Sequence, residues 1–68
     1  MKRYVTFGQA HVHSINGKTF DKDCVAVLEG TRDDVFNTFG QQFCWEYDET
    51  EFDFDSLNEF YPRGLINV

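Results

Sequence analysis

Sixty-eight residues make a single domain spanning 1–68, and a chain of that size buries only about 60% of the surface its unfolded form exposes. Eight Phe, three Tyr and one Trp must therefore supply a small, aromatic core, since rings give the most buried apolar area per residue. The net charge of −6 excludes a phosphate-backbone binder, which needs clustered Lys and Arg. The charge is uneven: residues 1–30 carry +1 and residues 31–68 carry −7. An acidic half of this kind suits a partner with a basic face.

From the N-terminus, Val5 and Phe7 are apolar at odd positions, Ala10 and Val12 at even ones, and Gly8 sits at the slip. An extra residue in a strand leaves this signature, so a β-bulge is predicted at Gly8–Gln9, within one strand over residues 3–13. In that phase His11 and His13 point together to the face away from Ala10 and Val12, because side chains alternate with period two. Asn16-Gly17 then signals a hairpin, and Cys24-Val-Ala-Val-Leu-Glu29 reads as a strand apolar on both faces, hence central.

Residues 30–40 read as one helix. Thr31 is the candidate N-cap with Asp34 three residues on, Val35, Phe36 and Phe39 form the apolar face, and Gly40 is the stop. Phe43, Trp45 and Tyr47 alternate with Cys44 and Glu46 in a further strand. Half of the twelve acids fall between Asp48 and Glu59, interleaved with Phe52 and Phe54. Ser56 and Glu59 are placed to cap a single helical turn before Pro62. Residues 64–68 form a candidate last strand. The helical crossover makes the strands on either side of it parallel, with the first strand between them. The prediction is a small α+β domain: a mixed three- to four-stranded sheet with one helix packed on one face, in the order ββαβ(β).

Chemistry-bearing residues are few. Two imidazoles are half a zinc site, and there is no third histidine. Cys24 and Cys44 lie in apolar runs and read as buried thiols. No metal and no cofactor are expected. Gly17-Lys18-Thr19 lacks the glycine-rich loop of a phosphate cradle, and no Ser or Cys sits in a strained glycine elbow. So short a chain has little room for a water-excluding pocket, and the expectation is a protein that is not an enzyme.

Two surfaces remain. Gln9, His11, His13 and Lys18 form a candidate polar face for an anionic ligand, weighed against ordinary exposed histidines. Glu46, Asp48, Glu49, Glu51, Phe52, Asp53, Phe54 and Asp55 form a candidate partner-binding face, with the two phenyl rings as anchors and the acids directed at a basic groove. The competing reading of that run is a charged edge that discourages strand pairing. Residues 1–7 hold no apolar signal core and no run reaches membrane-spanning length, so a cytoplasmic protein without membrane contact is expected.

Val5-Thr-Phe-Gly-Gln-Ala-His-Val-His13 and Phe39-Gly-Gln-Gln-Phe-Cys-Trp-Glu-Tyr47 resemble the two motifs of a family of small proteins encoded by bacteriophages and prophages. In that family the first motif opens Phe-Thr-Phe-Gly, where this chain has Val5. The resemblance covers most of the chain, including Phe60 to Val68, and implies an origin rather than an activity. Phage accessory proteins of this size act by binding. The function expected is inhibition of a host protein in the host cytoplasm, such as a nucleic-acid-handling CRISPR or restriction component, through the acidic surface. The alternative is sequestration of an anionic nucleotide signal by the region from Gly8 to Lys18. Monomer and dimer both remain open.

Overall fold

The computed structural model describes residues 1–8, 12–15, 17–41 and 43–68. Among the described residues, six strands and two helices follow one another as β1 (Lys2–Thr6), β2 (His13–Ile15), β3 (Lys18–Phe20), β4 (Cys24–Glu29), α1 (Arg32–Phe39), β5 (Trp45–Asp48), α2 (Leu57–Phe60) and β6 (Gly64–Asn67). A 3-10 turn at Phe54–Ser56 leads into α2. The fold is small α+β, with a mixed four-stranded sheet in the order β5-β1-β4-β6 and a separate β2-β3 hairpin.

β1 lies antiparallel between β4 and β5, so the two strands joined by α1 run parallel to each other, and β6 adds parallel to β4. Residues 24–29 are central, as their apolar character on both faces requires. The order ββαβ(β) is nonetheless too simple. The first strand ends at Thr6, and His13–Ile15 and Lys18–Phe20 form a sheet of their own. The bulge expected at Gly8–Gln9 lies partly outside the described residues, as Gln9, Ala10, His11, Asn16 and Gln42 do.

Both faces of the sheet are covered. Val5, Cys24 and Ala26 pack under Val35 and Phe39 of α1 and Phe7 and Phe20 of the hairpin side. On the opposite face Tyr4, Val25 and Val27 pack under Phe52, with Leu57 and Tyr61 beside it. Alternation along β1 and β4 sends successive side chains into these two clusters. One helix on one face was too little for a strand apolar on both sides. The irregular segment 48–61 is the second cover.

Local chemistry sets the ends of α1. The Asp34 carboxylate accepts from the Thr31 backbone N–H at 2.7 Å and from its hydroxyl at 3.1 Å. Gly30 precedes it at φ 145°, and a Cβ there would collide with that carboxylate, so the turn needs glycine. Gly40 closes the helix, its N–H donating to Phe36 O at 2.7 Å. Two of the three residues expected on the apolar face are buried, Val35 and Phe39. Phe36 is not; 100° further round the helix, it is half exposed against Phe43.

Asp34 and Asp48 make stability depend on acid. Hydrogen bonds from Thr31, its backbone N–H first, hold Asp34 below the usual aspartate range. The Thr50 hydroxyl does the same to Asp48, aided by the N–H groups of Thr50 and Glu51. A carboxyl whose pKa is lower folded than unfolded stabilises the fold above its unfolded value, about 3.9. That contribution is lost as pH falls through the folded value. Denaturant midpoints measured from pH 6 downward should fall below about pH 4, and Asp34→Asn/Asp48→Asn should flatten the fall. An unchanged slope in that variant would assign the acid sensitivity elsewhere.

Candidate functional site

The acidic segment 48–60 is held by hydrogen bonds to its own carboxylates. Asp48 Oδ1 accepts from Thr50 N–H at 2.8 Å, Thr50 Oγ1 at 2.6 Å and Glu51 N–H at 3.0 Å, tying off the turn after β5. Asp53 Oδ1 accepts from Asp55 N–H at 3.0 Å and starts the 3-10 turn. Glu49 accepts from Lys2 N–H at 3.0 Å, and Glu51 from Asp48 N–H at 3.4 Å. These carboxylates order a segment that has little regular structure, while Glu49, Glu51, Asp53 and Asp55 stay exposed to solvent.

The aromatic residues of the segment divide. Phe52 is 9% exposed and stacks on Tyr4 at 5.0 Å between centroids, so it is part of the core and cannot serve as a partner anchor. Phe54 is 46% exposed, edge-on to Tyr4 and Phe52 at 5.1 and 5.0 Å. Phe60, not singled out in the sequence, is 61% exposed. It lies on α2, whose inward position is taken by Leu57. The single helical turn is where Ser56 and Pro62 suggest, but Ser56 Oγ donates to Asp53 O at 2.9 Å rather than capping.

Glu46 belongs elsewhere. It is paired with Val5 in the ladder and so faces the α1 side. There it meets Arg3 Nη1 at 3.3 Å and Arg32 Nε at 3.5 Å. The first acid of the expected face is thus neutralised by two guanidinium groups on the other side of the sheet.

That ion pair borders a groove of about 240 Å³ lined by Arg32, Phe36, Gln41, Phe43, Cys44, Trp45 and Glu46. Trp45, opposite Thr6 on the edge strand, is 57% exposed. Cys44 is exposed too, against the expectation of two buried thiols; Cys24 is fully buried, and both are free. Burial pushes the Cys24 thiol up, opposed by the Asp21 backbone N–H, which donates to its Sγ at 3.4 Å. The run Phe43-Cys-Trp looks like core because a sequence does not reveal that its strand lies at an edge.

The hairpin carries the histidine question. His13 pairs with Phe20 and Ile15 with Lys18, so these four side chains share one face, and Ser14 and Thr19 share the other, their hydroxyls 3.5 Å apart. His13 is half-buried, its ring edge-on to Phe39 at 5.3 Å. Val12 is exposed. The phase is therefore the reverse of the one expected, and His13 faces the core rather than solvent. The Lys18 ammonium donates to Asn67 O at 2.7 Å. Gln9 and His11, the other two residues of that candidate face, lie outside the described residues.

Among the described residues, no three His, Cys, Asp or Glu side chains gather closely enough to hold a metal ion. No helix among them is long and apolar enough to cross a membrane. The elements define a small α+β domain with an acidic, aromatic cover on one sheet face. None of the protein-family models, curated proteins or solved structures matches the chain.

Proposed function

We propose that the chain is a binding protein without catalytic activity of its own, one that inhibits a host nucleic-acid-handling protein by laying its acidic face on a basic surface. The resemblance to phage and prophage proteins supports the setting. One observation carries the reading. Segment 48–61 is anchored on the sheet by Phe52, Leu57 and Tyr61, yet presents Phe54 and Phe60 exposed among Glu49, Glu51, Asp53, Asp55 and Glu59. Exposed rings set among charges on an ordered support are what an interface needs: apolar anchors with little ordering cost, and a field that steers a cationic partner. The region from Gly8 to Lys18 has less to support it as a nucleotide site, since Lys18 is engaged by Asn67 and His13 turns toward Phe39.

The chain immobilised in a lysate of the bacterial host should retain a basic, nucleic-acid-handling protein, identified by mass spectrometry. Retention should weaken as salt rises, and Asp53→Asn/Asp55→Asn/Glu59→Gln should lower affinity at least about tenfold, roughly 1.4 kcal/mol. A retained set that is the same for the wild type and the triple variant would defeat the proposal.

A further inference from the structure

β6 ends the sheet, with β4 on one side and no strand on the other among the described residues. Its ladder shows which backbone groups are unused. Val68 N–H donates to Val27 O at 3.0 Å, so residue 68 faces β4. Alternate residues of a strand point their N–H and C=O groups to opposite sides. Ile66 therefore faces β4 with Val68, while Leu65 and Asn67 aim theirs at the open edge.

Of those outward groups, the Asn67 carbonyl is taken by the Lys18 ammonium at 2.7 Å. A lysine at an exposed edge is a recurrent means of preventing strand addition. Here it comes from the β2-β3 hairpin, a separate sheet. The opposite edge needs no such guard. β5 ends at Asp48 and runs into the acidic segment, whereas Gly64–Asn67 has no ionisable side chain at all.

The geometry points to β6 as a pairing surface for a second copy of this chain, held shut by Lys18. Charge selects the occupant and the edge together. Two copies of a −6 chain repel wherever their acids meet, and β6 is the sheet edge whose own residues bear no charge. The strand is also complementary to itself. In an antiparallel pair centred on Ile66, Leu65 exchanges both backbone hydrogen bonds with Asn67 of the second copy, and Asn67 exchanges both with its Leu65. Ile66 meets its own counterpart in the close, non-hydrogen-bonded position, with Cα atoms about 4.5 Å apart. Such an interface is isologous and closes at two copies. Lys18 opposes it by occupying the Asn67 carbonyl, an acceptor that the pairing requires.

Sedimentation velocity over a concentration series tests the guard. Lys18→Met should dimerise at a concentration at least about tenfold below the wild type, whereas Lys18→Arg, which keeps the cation, should behave as the wild type does. Mild oxidation tests the register, in a Cys44→Ser background that removes the exposed native thiol. Ile66→Cys should form a disulfide-linked dimer, while Leu65→Cys, offset from its own counterpart, should crosslink much more slowly. Lys18→Met remaining monomeric over the wild-type range would overturn the role of Lys18. Equal crosslinking at 65 and 66 would overturn the pairing itself, and this second measurement does not depend on how well the Lys18 variant folds.

Discussion

Phe39→Ala should lower stability by about 3–5 kcal/mol and leave much of the population unfolded, while Phe36→Ala, three residues earlier on the same helix, should cost only about 1 kcal/mol. Phe39 is 1% exposed and lies edge-on to Phe7, Phe20 and His13 at 5.3, 5.8 and 5.3 Å. Removing it empties the junction at which α1, the hairpin and the end of β1 meet. Phe36 is 44% exposed and touches Phe43 at the groove. Its loss exposes little and leaves no closed cavity. Domains as small as this one sit near the low end of the usual 5–15 kcal/mol, so the first substitution takes most of the available stability. Urea midpoints for the two variants provide the comparison. Equal losses would mean that Phe36 is as much a core residue as Phe39.

The contrast between these two residues also shows where local sequence stops being informative. Thr31, Asp34 and Gly40 mark the helix correctly because capping is a matter of neighbours a few residues apart. The central place of β4 was legible for a similar reason: only a strand covered on both sides can be apolar at every position from Cys24 to Leu28. The hand of His13 was not. The chain leaves the main sheet after Thr6 and re-enters a different one at His13, so no alternation carried forward from Val5 and Phe7 can set the phase beyond that break. Cys44 was misplaced because the strand it leads into, β5, is at the edge of the sheet, a property of strand order rather than of residues 43–47. The acidic segment was legible as a charged surface. Its second role, as the cover of the far sheet face, depends on contacts with Tyr4, Val25 and Val27, all of them distant in sequence.

Phe52 and Phe54 were indistinguishable in the run Glu51-Phe-Asp-Phe-Asp55, each ring flanked by acids, but substitution should separate them. Phe52→Ala should cost about 3–5 kcal/mol, because its ring fills the cluster over Tyr4, Val25 and Val27 and stacks on Tyr4 with an interplanar angle of 14°. The loss should extend to Tyr47, whose ring meets Phe52 at 5.8 Å, so that segment 48–61 loosens from the sheet and partner binding falls with stability. Phe54→Ala should act differently. Nearly half of that ring already faces solvent, so its removal should cost about 1 kcal/mol of stability. It should cost more in affinity for the partner, since an exposed ring among carboxylates is the anchor the proposed interface would use. Thermal or urea unfolding read alongside retention of the partner separates the two effects. Binding lost in step with stability at both positions would mean that segment 48–61 only covers the core. Affinity lost at Phe54 with the fold intact would place the partner on this face.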